Sequence, residues 1–478
     1  MPPSRTVWVL GDQLNVSLAS IRDADPARDR ILMIRSEGKI ASKPFHPLRL
    51  RLVLEAMDRF AGELRARGFH VDHRTAASFA EGVEAHRREF RPESVRAMEP
   101  MSWDGLRTME RLGVETVRSD QFLCHHEEFA EWAAERGGRR LVMEDFYRRQ
   151  RVRLGYLMDG DQPAGGRWNW DGENRRPPPR DGGGWPRAGR DAAWPVTRRQ
   201  ALARLRSFTA EVLPRFGPHQ DAMLAGEWRL AHSLLSSSMN IGLLHPREVC
   251  DAVEEAYRAG AVPIASAEGF IRQVIGWREY VWGTFWLWMP GFRRRNVLRA
   301  RRPLPPAFRE GPGATHMACV AAALGSVRDH AYAHHIQRLM VLGNLALLAG
   351  VRPRELVDWM WASFIDGAEW VMIPNVVGMA LHADGGRMMT KPYAAGGAYI
   401  DRMSDHCPAC RYDPRRRTGD GSCPFTTLYW DFLARHRERF AANGRMRRQV
   451  QGLGRLQDLP EVRERAREVL RLLDAGEL

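Results

Sequence analysis

The chain reads as a Rossmann-like α/β unit with a parallel sheet at the N-terminal end, followed by an all-α unit. Three observations carry that expectation. Short apolar runs alternate with helical stretches before residue 135, a Gly/Pro/Arg-rich break follows, and helical apolar spacing then continues from Thr197 to Leu472. At 478 residues the chain exceeds a single ordinary domain. The spacing therefore predicts residues 1–135 as the α/β unit, 136–196 as the linker and 197–478 as the helical unit.

The elements follow in order. Val7-Trp8-Val9-Leu10 is a buried-strand run that Gly11-Asp12-Gln13 ends, and Ile31-Leu32-Met33-Ile34 is a second. Leu48 to Phe69 has apolar residues at helical spacing with Arg and Glu between them. Val71 to Arg74 and Ser94 to Met98 give a third and a fourth strand, so strands separated by helices imply parallel pairing through right-handed crossovers. Gly165-Gly166-Arg167 opens the break, and Pro177 to Gly184 is its centre. Beyond it, Leu202–Phe208, Phe270–Trp288 and Ala331–Ala349 are expected helices. Of 16 tryptophans, 13 lie after residue 150, which places most of them in the core of the helical unit.

Lys and Arg number 72 against 58 Asp and Glu, a formal charge of +14, and the only lysines are Lys39, Lys43 and Lys391. Such a balance points to an anionic partner or to an arginine-rich composition. Val7 to Leu10 is too short for a signal-peptide core. Leu339 to Val351 is interrupted by Gly343 and Asn344 and falls short of the ~20 residues of a membrane span. The expectation is a soluble, cytoplasmic protein without a membrane partner, acting as a monomer.

Six cysteines in so long a chain do not form a disulfide scaffold. Cys407-Pro-Ala-Cys410 is followed by Cys423 after twelve residues, in a loop with too few apolar residues to bury a core of its own. Three thiols suit a metal more than a simple dithiol. Cys319, Cys250, Cys124 and His406 are the candidates for a fourth ligand, and structural zinc and an iron–sulfur cluster both fit the spacing.

Tyr332-Ala-His334-His335-Ile-Gln337-Arg338-Leu-Met is expected on a helix, where adjacent histidines point about 100° apart, so that one faces a cleft as a proton donor while the other packs. The hydroxyl-dense run His232-Ser233-Leu-Leu-Ser236-Ser237-Ser238-Met-Asn240 suits a diphosphate, or plain N-capping. Ala383 to Arg387, with Lys391-Pro392-Tyr393 beyond, is a polar loop between helices.

Taken together these segments resemble the bacterial photolyases and cryptochromes that carry an iron–sulfur cluster, typified by the prokaryotic (6-4) photolyases. The likeness runs over nearly the whole chain: Leu10-Gly-Asp-Gln-Leu14, Met143-Glu-Asp-Phe-Tyr147, Gly165-Gly-Arg-Trp-Asn169, Glu268-Gly-Phe-Ile-Arg-Gln273, Gly276-Trp-Arg-Glu-Tyr280, Tyr332 to Arg338, Pro374-Asn375 to Met379 and Lys391 to Ala395. The resemblance implies a photolyase/cryptochrome fold, with an antenna-type α/β domain and a helical FAD-binding catalytic domain. It implies DNA repair: excited reduced FAD donates an electron to a (6-4) pyrimidine dimer flipped out of UV-damaged DNA. The alternative it leaves open is a cryptochrome-type blue-light photoreceptor without repair.

By the same resemblance, a [4Fe–4S] cluster is held by Cys319, Cys407, Cys410 and Cys423. FAD is held by His232, Ser233, Ser236 and Asn240, with Gln273 and Arg278 on a flanking helix and Asp366 and Asn375 near the isoalloxazine. His334, His335, Tyr393 and Leu339 face the lesion, and Trp359 is an electron-transfer residue. A 6,7-dimethyl-8-ribityllumazine antenna would meet Asp12 and Gln13. The chain departs from the family pattern at Gly311, where a relay tryptophan is common, at Met360, where an aromatic follows Trp359, and at Arg35 and Lys39, where antenna-side acids are expected, Glu37 lying nearby.

Overall fold

A computed structural model describes residues 4–178 and 194–478. Five parallel strands form one sheet in the order β3-β2-β1-β4-β5, with β1 at Arg5–Trp8, β2 at Asp29–Ser36, β3 at His70–Ala76, β4 at Ser94–Met98 and β5 at Glu115–Val117. Val7 sits opposite Ile31 on one side and Arg96 on the other. The two central strands are apolar on both faces because helices cover both. The helix Pro47–Ala66 buries Leu52, Ala56, Met57, Phe60, Ala61 and Leu64, a stripe at helical spacing that lies against the sheet. The helix Phe79–Phe90 starts where the Ser78 side chain accepts from the Glu81 N–H, and it buries Val83 and His86.

The strand order reverses direction between β1 and β4. In an open parallel sheet that switch point leaves a crevice beyond the carboxyl ends of the strands. Here it brings the turn after β1, with Asp12 and Gln13, beside Glu99, which follows β4.

The stretch expected as linker begins with ordered structure. Met143–Leu154 is a helix, followed by a short hairpin of Met158–Asp159 with Gln162–Pro163. Tyr147 Oη donates to Glu268 Oε1 at 2.8 Å, so this helix is packed into the helical unit. The buried Arg151 guanidinium donates to main-chain carbonyls, including Trp168 O at 2.8 Å, and so holds the chain that follows. Of the Pro177–Gly184 centre, Pro179 to Gly184 lie outside the described residues.

Among the described residues no strand follows Pro163. The helical unit is built around a continuous helix, Ile264–Trp288, with a π-helical segment over Arg272–Arg278. Among the described residues no helix is long and apolar enough to cross a membrane. The expected helix Ala331–Ala349 is corrected at its start. Ala318–His330 is a separate helix, ended by Ala331 in the left-handed region at φ 52°, and the chain from Tyr332 to His334 is not helical before helix resumes at His335.

The helix His126–Glu135 crosses the central helix at Gly283, where an added Cβ would lie 2.1 Å from the Phe129 ring. Phe129 is fully buried against Trp132, Phe146 and Tyr280, so its ring has nowhere to retreat. Gly283→Ala is therefore expected to destabilise the protein by roughly 1–3 kcal/mol, as overpacking does. A lowered apparent Tm in thermal unfolding checks this, and an unchanged Tm would show that the two helices are not in contact.

Candidate functional site

Three segments distant in sequence meet at Asp366. Arg338 donates to its carboxylate from two nitrogens, at 2.9 and 3.2 Å. Ser236 Oγ donates to Oδ2 at 2.7 Å, and Asn240 Nδ2 donates to the Asp366 carbonyl at 2.9 Å. The Arg338 guanidinium lies over the Phe364 ring at 4.0 Å and donates from Nε to Ala333 O at 2.6 Å. That last bond pins the non-helical stretch just before the two histidines. Arg338 is the member of this set that sequence reasoning passed over: it stands in the Tyr332–Arg338 run, but a pairing across 28 residues leaves no local pattern.

Beside this network, His232 and His334 stack at 4.4 Å, and His335 lies 5.3 Å from His232. His334 is buried, and neither ring nitrogen has a hydrogen-bond partner among the described residues. Burial, then the neighbouring His232 and His335, hold it well below the usual histidine range. Burial likewise holds His232 down to about 3, with His335 adding to the effect. His335 is the exposed member, and its Nε2 lies 3.4 Å from Asp221 Oδ1.

Tyr393 lies within electrostatic range of Asp221, the acid beside His335. Asn344 holds the loop that carries Tyr393, donating to Ala395 O at 2.8 Å and accepting from Ala395 N at 3.1 Å. Burial, then Asp171, pushes the Tyr393 phenol up, with Arg175 opposing. Leu339 is partly buried on the helix that begins at His335, and Lys391 is exposed.

Ser237 and Ser238, one and two residues from Ser236, are buried, and their hydroxyls have no partner among the described residues. Ser233 Oγ accepts from Leu235 N at 3.3 Å. Gln273 and Asn375 donate to carbonyls of their own helices, Gly269 O at 3.1 Å and Val371 O at 2.8 Å. Arg278 faces the α/β unit: it pairs with Glu279 at 2.9 Å, and its guanidinium lies 3.9 Å over Phe122. These three stand outside the Asp366 network.

Cys319, Cys407, Cys410 and Cys423 line one small cavity, and all four are free thiols. Cys423 immediately precedes the helix Pro424–Arg435, and Cys407–Ala409 forms one tight turn in which Cys410 N donates to Cys407 O at 3.0 Å. Burial and then the other three sulfurs push the Cys319 thiol up. Gly397 borders the cavity, and an added Cβ there would lie 2.9 Å from Cys423 Sγ. Cys124 and Cys250 are buried elsewhere.

At the switch-point crevice, Asp12 Oδ1, Gln13 Oε1 and Gln121 Oε1 are buried acceptors without a partner among the described residues. Gln121, absent from the sequence expectations, donates to Asp12 O at 2.5 Å. Burial pushes the Asp12 carboxyl up to about 6, and Lys39 pulls it back. Lys39 and Lys43 both lie over the Trp361 ring, at 4.9 and 4.7 Å.

Trp359 donates from Nε1 to Phe308 O at 2.6 Å. A separate run of indoles joins Trp370 to Trp282 at 5.9 Å, Trp282 to Trp286 at 5.5 Å and Trp286 to the partly exposed Trp103 at 5.9 Å.

A five-stranded parallel sheet joined to this helical unit is the architecture of photolyases and cryptochromes. The fold superposes on a bacterial class III photolyase from Agrobacterium tumefaciens with a TM-score of 0.60 at 14% identity, covering 99% of this chain and 98% of that one. It superposes on a Synechocystis sp. PCC6803 cryptochrome with a TM-score of 0.59 at 14% identity, covering 98% and 100%. Residues 7–208 match the family model "Deoxyribodipyrimidine photo-lyase-related protein". In sequence the chain is 40% identical over 514 residues to a protein named (6-4) photolyase from Agrobacterium fabrum (strain C58 / ATCC 33970), covering 98% of this chain and 100% of that protein. The chain belongs to the photolyase/cryptochrome family, and that membership implies FAD as its cofactor.

The buried histidines set a pH dependence. An unfolded histidine takes up a proton near pH 6.5, while folded His232 and His334 resist it, so unfolding takes up protons below that pH. Their contribution to stability is complete above about pH 6.5 and is lost as pH falls toward 3. The slope is at most about 1.4 kcal/mol per pH unit for each ring. Apparent Tm is expected to fall from pH 6.5 to 4.5, and His232→Phe should flatten that profile; identical slopes would show that His232 titrates alike in both states.

Proposed function

We propose that the protein repairs (6-4) pyrimidine photoproducts in DNA by light-driven electron transfer. The observation that carries this reading is an exposed histidine beside a buried one that burial holds neutral, the buried one within electrostatic range of Arg338, which is paired with Asp366. The likeness to a named (6-4) photolyase at 40% identity favours repair over a sensory role. Reduced FAD, when bound, supplies the excited-state electron.

The chain's residues fit that cofactor. The unpartnered Ser237 and Ser238 hydroxyls are donors that suit phosphate or ribityl oxygens, and Ser236, Asn240 and Arg338 hold Asp366 in one orientation beside them. His335 can hold a proton at Nε2 with Asp221 as acceptor and present it to a lesion in the cleft. His334, held well below the usual histidine range by burial, stays uncharged and offers a hydrogen bond beside His335. A flipped lesion loses its stacking at a cost of a few kcal/mol, and Tyr393 and Leu339 replace part of it. Lys391 and surface arginines meet phosphates, which makes affinity fall as salt rises.

The four cysteines fit a [4Fe–4S] cluster. Thiolate-only ligation from four cysteines around one small cavity suits such a cluster. The glycine at 397 leaves room that a Cβ would fill. In the switch-point crevice, the three buried acceptors of Asp12, Gln13 and Gln121 fit the hydroxyls of a ribityllumazine antenna. This reading assigns light collection to residues 1–135 and catalysis to residues 197–478.

Chemically reduced protein with full FAD occupancy, given a (6-4)-containing oligonucleotide under blue light, should restore the thymines; no restoration overturns the proposal. His335→Ala is expected to lower repair at least 100-fold, the scale of a lost general acid, with lesion binding within a few-fold of the parent. Equal repair would show that another group delivers the proton. Cys407→Ser should lose iron in metal analysis, because the loop has little else to hold it. Full iron content in a folded variant would refute the ligand set.

A further inference from the structure

A second group of ligand-type side chains lies away from the cleft, at the carboxyl end of β4. Glu99 directly follows the strand, and His125 and His126 open the helix His126–Glu135, with His125 as its N-cap. One ligand atom from each of the three lies within 4.8 Å of the others. Glu99 Oε2 is 2.7 Å from His125 Nε2, and Oε1 is 3.8 Å from His126 Nε2. The two imidazole centroids lie 4.1 Å apart with their planes tilted by 36°, and His126 stacks on Trp286 at 4.9 Å and 27°. Glu99 Oε2 also accepts from Ser119 N at 2.9 Å, which fixes the carboxylate between the rings.

A divalent cation can take a lone pair from each neutral ring and is charge-balanced in part by the carboxylate, a donor set that suits the zinc class. Bonds of 2.0–2.1 Å to nitrogen and oxygen in a tetrahedral site put neighbouring donors about 3.3 Å apart. Glu99 Oε2 and His125 Nε2, at 2.7 Å, are about half an ångström closer than that, and one donor atom from each of the three residues lies within 4.8 Å of the others, so small side-chain shifts reach the spacing. His125 Nδ1 accepts the Glu127 N–H at 3.4 Å as the helix cap; with metal on Nε2 the ring proton would sit on Nδ1 instead and be donated as a hydrogen bond to Glu127 Oε2, also 3.4 Å away.

We propose that Glu99, His125 and His126 form a binding site for a divalent transition-metal ion of the zinc class, separate from the cysteine cavity and from the cleft. Two imidazoles and one carboxylate leave the fourth tetrahedral position for water. The site ties the end of β4 to the helix that crosses the central helix at Gly283, and through His126 to Trp286. It is a clamp on the seam between the α/β and helical units.

The test uses the full-chain protein carrying its cofactors, titrated with zinc chloride alone by calorimetry, and crystals soaked in the same salt for zinc anomalous scattering. The expected result is an anomalous peak among Glu99, His125 and His126. Zinc affinity should fall at least tenfold in Glu99→Gln, which keeps acceptors for His125 and Ser119, and in His126→Phe, which keeps the stack on Trp286. Because His232, His334 and His335 are a competing set of ligands, a His334→Phe/His335→Phe variant is titrated in parallel and should retain the affected site. A peak at the cleft histidines alone, or unchanged affinity in both Glu99→Gln and His126→Phe, overturns the proposal.

Discussion

The Arg338–Asp366 pair is the contact on which the cleft depends. Asp366 receives Arg338 bidentately and Ser236 on the same carboxylate, while its carbonyl receives Asn240. Two mostly buried charges in such a pair are worth little more than well-packed apolar groups would be, but removing one partner leaves the other uncompensated, at a cost of about 3–5 kcal/mol. The pair thus confers position more than stability. Arg338 also donates to Ala333 O, so the backbone immediately before His334 is fixed by the guanidinium that meets Asp366. One ion pair therefore sets the hydroxyl-rich Ser236–Asn240 helix and both histidines in one frame.

What the sequence made legible follows from what has a short-range signature. The apolar runs Val7–Leu10 and Ile31–Ile34 became β1 and β2, because strands covered on both faces read as unbroken apolar stretches, and the more polar runs Val71–Arg74 and Ser94–Met98 became β3 and β4. The cysteine loop was legible because its spacing is local and its composition cannot build a core. β5 was not, since Glu115–Val117 is three residues long and presents mostly exposed side chains at the sheet edge. The break before His334 was not legible either: Ala331 carries a left-handed φ of 52°, and alanine is a strong helix former. The surroundings override its preference, with Arg338 bonded across the break and Ile365 N donating to Ala331 O at 2.7 Å. Glu99 with the two histidines is a pattern of sheet topology, assembled from residues 26 and 27 apart.

The charge of +14 takes on a different meaning in the structure. Many arginines sit in exposed pairs with acids one helical turn away, such as Arg67 with Glu63 and Arg107 with Glu110, and such pairs contribute little to stability. Others do structural work: Arg151 holds main-chain carbonyls, and Arg338 holds Asp366. The lysines divide cleanly. Lys39 and Lys43 bracket Trp361, with Lys43 paired to Asp358, while Lys391 stands exposed two residues from Tyr393. An ammonium is a compact charge on a flexible stem, suited to packing on an indole face or following a phosphate.

Gly311 shows how a departure from the family pattern is built into the backbone. It ends the short helix Ala307–Glu310 at φ 95° and ψ −168°, a region that only glycine enters without strain. An added Cβ there meets nothing, so space is not the obstacle. The obstacle is conformational: a tryptophan would bring roughly 1–3 kcal/mol of backbone strain. The turn that Gly311 adopts thus disfavours the indole that the resemblance leads one to expect there. Trp359, bonded to Phe308 O one helix away, keeps its place without that outer neighbour. The indoles that do touch one another, from Trp370 through Trp282 and Trp286 to Trp103, run instead along the seam between the two units.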